Sequence, residues 1–263
     1  MIKNIPALLA RISEELRLFT DLAVVGMSGG ADSTLVTLLC HYALGKDSVY
    51  TAHMPAVATD LVSFNKLSLE TARHLQVHTQ VVSIADSVST FNRALEKSLE
   101  RPLSKLNGGN SRARLRMAVL YALSGELSES SGKRVRVIGT GNLSEDFIGY
   151  DTKGGDSLCD LFPIGELFKS EVYQLLEYFR DQGVITESMI NRTPSAGLWE
   201  GQTDEKELGY TYKEMEKSIR KIMSGQLGST PEGCDLFVLN RHRQHKHKHE
   251  AIPALPLRQF CDE

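Results

Sequence analysis

Between Ser28 and Ser33 the chain reads Ser-Gly-Gly-Ala-Asp-Ser, which combines two glycines, two hydroxyls and one carboxylate. Gly29 and Gly30 permit φ > 0 and leave no Cβ in the way, so backbone N–H groups can close around an anion. Asp32, Ser33 and Thr34 are helix-start residues, and the unpaired N–H groups and dipole of a helix start favour phosphate. No Gly-Lys-Ser/Thr follows, so this is not a Walker A loop. A carboxylate beside bound phosphate is repulsive unless a cation lies between them, so Asp32 points to Mg²⁺. Three further stretches carry reactive side chains: Arg112, Arg114 and Arg116; the polar, glycine-dense run from Thr140 to Asp156; and Arg241 to Glu250, rich in His and Lys. In that last run His245 and His249 are four apart and could share a helix face, as zinc ligands do.

The elements that must position these residues alternate. Leu22-Ala23-Val24-Val25 is a short apolar run ending in the glycine loop. Leu35, Val36, Leu38, Leu39 and Tyr42 continue it as a largely buried helix that stops near Gly45. Ile5, Leu8, Leu9, Ile12, Leu16 and Phe19 predict an amphipathic helix over residues 5–19. Strands are predicted at 49–54, 79–84 and 134–139, and helices at about 60–75, 86–100 (capped by Asp86 or Ser87) and 111–129. Residues 101–110 read as a Pro/Gly/Asn-rich connection. Helices follow at about 168–181, 212–224 and 233–247, with long loops at 140–156 and 191–205. Trp199, the only tryptophan, lies in the second loop. This alternation predicts an α/β fold, a doubly wound, mostly parallel sheet with helices on both faces. Ligands of such sheets sit beyond the carboxyl ends of the strands, where the loops at 27–33 and after Thr140 begin. No repeat or linker is visible, so one domain over residues 1–263 is expected.

Composition narrows the class. The 263 residues, 41% hydrophobic and 24% charged, are those of an ordinary globular protein. A net charge of −3 gives no global attraction to nucleic acid or to an anionic membrane. No apolar run approaches the ~20 residues of a membrane helix, and the N-terminus lacks a signal-peptide pattern. Cys40, Cys159, Cys234 and Cys261 stand far apart without a CxxC, so disulfides and a zinc knuckle are not expected. These features predict a cytoplasmic protein with neither nucleic acid nor membrane as partner.

Residues 28–33 resemble the SGGxDS pyrophosphate loop of the ATP pyrophosphatase superfamily, which splits ATP between its α- and β-phosphates. Further motifs follow in order: Asn110 to Met117, Gly139-Thr140-Gly141-Asn142-Leu143-Ser144-Glu145, Gly149-Tyr150-Asp151-Thr152-Lys153-Gly154-Gly155-Asp156, Leu161 to Lys169, and Pro194 to Glu205. Together, over roughly residues 20–255, they resemble ammonia-dependent NAD⁺ synthetases. The resemblance implies an adenine nucleotide alpha-hydrolase-like fold and a two-step reaction. The carboxylate of deamido-NAD⁺ would attack the α-phosphorus of ATP; ammonia would then displace AMP from the adenylate. Many such enzymes carry a glutaminase domain. This sequence leaves no room for one, implying free ammonia or ammonia from a partner.

Roles are carried over residue by residue. Gly26, Met27, Ser28, Gly29, Gly30, Ala31, Asp32 and Ser33, with Thr140, Lys169 and Ser195, match ATP-binding positions. Ser195 stands where many relatives have threonine. Asp32 and Glu145 match the Mg²⁺ carboxylates, and Asp32, Glu145 and Lys169 the catalytic set. Arg114, Lys153, Asp160, His247 and Lys248 match positions that bind deamido-NAD⁺, with His245-Lys246 as the rival His-Lys pair. The family also implies a homodimer. Asp151 departs from it, standing where a basic or aromatic residue is common, and so does His53-Met54-Pro55. Two other readings stay open. One is another ATP pyrophosphatase, such as a tRNA-thiolating or GMP-forming ligase, of which a thiolation enzyme would be expected to show cysteine pairs or a basic RNA-binding appendage; the other is a nucleotide sensor, which would be expected to have lost Asp32, Glu145 or Lys169.

Overall fold

A computed structural model describes residues 1–56, 60–190 and 203–253. Four strands, β1 (Leu22–Gly26), β2 (Val49–His53), β3 (His78–Val81) and β4 (Val135–Ile138), form one sheet in the order β3-β2-β1-β4. Every pairing is parallel, for example Val24 beside Tyr50 and beside Val137.

Successive β1 side chains point to opposite faces, which divides the core in two. Ala23 and Val25 pack towards α1 (Ile5–Phe19), α2 (Ala31–Leu44), the end of α3 (Asp60–His74) and α7 (Lys169–Asp181). Leu22 and Val24 pack towards α5 (Lys105–Ser131), while α4 (Ala85–Leu99) and α5 cover β2 on that same face. The expected doubly wound sheet with helices on both faces is therefore present. Leu35, Leu38 and Leu39 on α2 are at most 1% exposed. Burial of each stabilises the fold by about 1.5–3 kcal/mol.

Beyond the sheet, α6 (Leu143–Phe147), α8 (Asp204–Leu208), α9 (Tyr212–Met223) and α10 (Gly233–His245) enclose a second apolar cluster, including Ile148, Phe168, Met215, Ile219 and Val238. Residue 168 belongs to this cluster and Val172 to the main core, so α7 joins the two.

Several local expectations are corrected. Residues 105–110 belong to α5, because the Ser104 hydroxyl accepts the Asn107 N–H and starts the helix ahead of the two glycines. The N-cap of α4 is Ile84, without a side-chain cap, not Asp86 or Ser87. β3 is an edge strand ending at Val81, its pattern largely exposed. The run after Thr140 is not all loop, since α6 forms within it. At the other end α10 stops at His245, and a single 3-10 turn spans Lys246–Lys248, so His245 and His249 share no α-helix face.

Candidate active site

β2 lies on one side of β1 and β4 on the other, so the loops leaving β1 and β4 diverge and open a crevice at their carboxyl ends. A cavity of about 500 Å³ fills it. Every residue of 26–33 except Gly29 lines this cavity. Only Gly29 uses the left-handed region, at φ +76°, where an added Cβ would lie 3.2 Å from the backbone nitrogen of Ser68; Gly30 is extended at φ −82°. The loop is tied to itself: Ser28 Oγ accepts the Gly30 N–H at 3.2 Å, and Ser33 Oγ accepts the Ser28 N–H at 3.3 Å.

At the floor, three elements deliver Asp32 from the first turn of α2, Glu145 from α6 and Lys169 from the first position of α7. Lys169 Nζ lies 2.5 Å from Asp32 Oδ2 and 2.9 Å from Glu145 Oε1. Burial opposes the charge on Lys169, but the two carboxylates outweigh it and hold its pKa above the ordinary value. Glu145 is pushed up to about 7, chiefly by burial and then by its acidic neighbours, against the pull of Lys169.

Two residues absent from the expected site hold these groups in register. Asn142, fully buried, caps α6 by accepting the Glu145 N–H at 3.2 Å, and donates through Nδ2 to Asp32 Oδ1 at 2.9 Å. Its signal was visible: Asn followed three residues later by Glu is a helix-start pattern. The Tyr212 hydroxyl lies 3.0 Å from Glu145 Oε1 and 2.9 Å from Asp204 Oδ2. It has one hydrogen to give, so the second contact needs a proton on one carboxyl, in keeping with the raised pKa of Glu145.

The cavity's far end is a rim of loop and C-terminal residues. Lys248 Nζ donates to the carbonyls of Gly149 at 2.7 Å and Asp151 at 2.6 Å and lies 3.3 Å from Asp151 Oδ1. His249 Nε2 is 3.1 Å from Asp151 Oδ2. His245 packs against Gly149, where φ is +61° and a Cβ would collide with the ring-bearing carbon. The two His-Lys pairs are split: Lys248 and His245 line the cavity, whereas His247 stands outside it and Lys246 pairs with Glu250 at 3.2 Å on the surface.

Thr140, Lys169 and Lys248 thus join residues 26–33 around one cavity, while Arg114, Lys153, Asp160 and His247 stand outside its wall. Arg114 Nε donates to the Lys153 carbonyl at 3.2 Å, and Lys153 Nζ to the His247 carbonyl at 2.9 Å, which ties these three into one strap. Asp160 accepts the Val137 N–H at 2.7 Å and the Tyr121 hydroxyl at 3.3 Å. Of the three arginines on α5, Arg116 reaches the cavity, its Nε 3.3 Å from the Met54 carbonyl. Ser195 and Trp199 lie outside the described residues.

No group of three or more His, Cys, Asp or Glu with metal-binding geometry occurs among the described residues. Asp32 and Glu145 nevertheless offer hard oxygen donors and already hold one cation, the Lys169 ammonium, between them. With Asp204 the floor carries three carboxyl groups to one lysine. A divalent cation that prefers oxygen ligands fits this donor set once anionic oxygens enter the cavity.

Known proteins resemble this chain in sequence and fold. The profile of the NAD synthase family matches residues 8–249. An NH(3)-dependent NAD(+) synthetase of Methanosarcina acetivorans is 36% identical over 261 residues, covering 93% of this chain and 96% of its own. Among solved structures, the NMN synthetase of Francisella tularensis superposes with a TM-score of 0.76 at 28% identity, and the NH3-dependent NAD synthetase of Campylobacter jejuni with 0.72 at 25%. Each pairing covers 95% of this chain and 96% of the other. With a profile match over most of its length and a phosphate loop, acidic floor and basic rim around one crevice, this chain belongs to the NAD synthase family.

Proposed function

We propose that this protein is an ammonia-dependent NAD⁺ synthetase, a carbon–nitrogen ligase that amidates deamido-NAD⁺ at the expense of ATP. The observation that carries this is the single cavity joining the 26–33 loop, the Asp32–Lys169–Glu145 floor and Lys248 at the rim. It has room for a triphosphate and a carboxylate side by side.

In the first step the nicotinate carboxylate forms a bond to the α-phosphorus while the bond to the β-phosphate oxygen breaks, releasing pyrophosphate. Ammonia then bonds to the activated carbonyl carbon, AMP leaves with the electron pair of the C–O bond, and the surplus proton passes to solvent or phosphate. The protein's part is positioning and charge stabilisation. Loop N–H groups and the hydroxyls of Ser28 and Ser33 orient the phosphates; the Lys169 ammonium leaves its two carboxylates to meet the charge developing on pyrophosphate. Asp32 and Glu145 would hold Mg²⁺, which when bound neutralises phosphate oxygens. Thr140 and Ser195 complete the ATP contacts, and Arg114, Lys153, Asp160, His247 and Lys248 the dinucleotide contacts.

The family resemblance supports a homodimer, and sedimentation of the purified protein tests it. No described helix is long and apolar enough to cross a membrane. Cys40, Cys159 and Cys234 are free thiols, which supports a cytoplasmic location.

The decisive experiment incubates protein with ATP, Mg²⁺, deamido-NAD⁺ and ammonium and follows NAD⁺ and AMP together. Equal formation of both is expected, lost when any substrate is omitted. Nicotinate mononucleotide run in parallel tests the length of the acceptor, since the Francisella tularensis relative is named for NMN. Pyrophosphate release without either amide would assign the adenylation to another acceptor.

A further inference from the structure

Helix α9 belongs to neither the sheet nor the loops that line the phosphate end of the cavity, yet two of its side chains end in the catalytic floor. Tyr212 and Glu216 are four residues apart and so lie on one face, a turn apart. The Tyr212 hydroxyl meets Glu145 at 3.0 Å. One turn further on, Glu216 Oε1 accepts the Ser144 hydroxyl at 3.1 Å and the Ser170 N–H at 2.9 Å, and Oε2 accepts the Ser170 hydroxyl at 2.5 Å. Ser144 Oγ in turn accepts the Lys169 N–H at 2.9 Å. Asp204 apart, the side-chain partners of Tyr212 and Glu216 are therefore residues 144, 145 and 170, which include or adjoin the carboxylate and the ammonium of the floor.

The environment makes this costly unless it serves a purpose. Glu216 is 6% exposed and Tyr212 7%, while Ser144 is fully buried. A buried carboxylate contacting only hydroxyls and an N–H is less stable than a well-packed apolar side chain of the same size, so its presence argues for geometry over stability. A favourable field comes from the N-terminus of α7, at which the carboxylate sits.

We propose that Tyr212 and Glu216 are positioning residues that set the spacing between Glu145 and Lys169: α9 acts as a two-point clamp on α6 and α7. The proposal rests on the synthetase reading for what the spacing is used for, but not for its existence.

Three variants test it. Tyr212→Phe keeps the ring in its apolar cluster and removes only the hydroxyl. Glu216→Leu removes both acceptors, and Glu216→Gln keeps one acceptor towards Ser144 and Ser170. For Tyr212→Phe and Glu216→Leu, kcat is expected to fall about 10- to 100-fold with KM for ATP changed less than about threefold, because geometry rather than ground-state binding is lost. Glu216→Gln should recover most of the rate. A second readout needs no turnover. Mn²⁺ affinity, measured by paramagnetic relaxation with a non-hydrolysable α,β-methylene ATP analogue, should fall about 10-fold in Tyr212→Phe. Wild-type kcat and Mn²⁺ affinity in Tyr212→Phe would overturn the proposal. So would a Glu216→Leu defect that Glu216→Gln shares in full, or rate losses that vanish on cooling and track melting temperature. If the unaltered protein makes no NAD⁺, the synthetase reading fails while the Mn²⁺ comparison still decides the clamp.

Discussion

The floor and the rim of the cavity both place a lysine against acidic oxygen, but they do so in different ways. At the floor Lys169 bridges two carboxylates, and each of the three groups sits in the first turn of a helix whose start is fixed by Asn142, Ser144 or the glycine loop. At the rim Lys248 binds mostly backbone carbonyls, in a 3-10 turn facing a glycine-rich loop. A group whose backbone is fixed by regular elements swings its charge from a set anchor as charge develops on the substrate. One fixed by carbonyls can exchange them for phosphate or ribose oxygens at little cost. The floor is built for chemistry and the rim for recognition.

Breaking the floor should have the largest effect. Lys169→Met is expected to lower turnover about 10³-fold. It also leaves two partly buried carboxylates, 17% and 18% exposed, without their cation, a loss of up to about 3 kcal/mol. Burial pushes Glu145 up to about 7 even with Lys169 beside it, and higher once the lysine is gone, so that destabilisation should be smaller at pH 5.5, where the carboxyl is protonated, than at pH 8.5. Denaturant unfolding at the two pH values checks it, and equal losses would separate the lysine from Glu145. Asp32→Asn should abolish Mg²⁺-dependent turnover while leaving the fold intact, and near-normal activity would remove Asp32 from the metal site.

Disturbing the rim should change affinity instead. Lys248→Ala is expected to raise KM for deamido-NAD⁺ about 10-fold and that for ATP less than twofold, whereas Lys246→Ala should alter neither. Reversal of that pattern would move the contact to the other His-Lys pair. The smallest effect belongs to His249. The Asp151 carboxylate 3.1 Å away raises its pKa above 6.5, so its stabilisation is present below that value and lost as pH rises through the folded pKa. Asp151 is lowered from 3.8 despite burial, by His249 and Lys248, so its share fades only as pH falls through that lowered value. His249→Gln should therefore melt about 2–3 °C lower near pH 6 and show no difference above pH 8. A constant difference would mean the imidazole acts by packing alone.

The sheet was legible because Leu22–Val25 is an apolar run that no exposed strand could tolerate and Val135, Val137 and Ile138 recur around a single arginine, and the glycine loop because few residue types can turn so tightly. Lys169 was legible as an exception, a cation at a helix start. The floor's supports were not. Tyr212 and Glu216 look like ordinary members of an amphipathic helix, and nothing local tells that one meets a residue 67 positions earlier and the other one 72 earlier. The 105–110 segment was misread because two glycines and two asparagines outweighed Ser104, whereas the length of α5 and its packing on the sheet overrode their poor helix propensity.

The α9 contacts also bear on biosynthesis. A chain emerging from the ribosome completes the sheet and its phosphate loop when residue 138 is made, but its acid and base acquire their outer bracing only after residue 216. Such long-range closure comes late in folding.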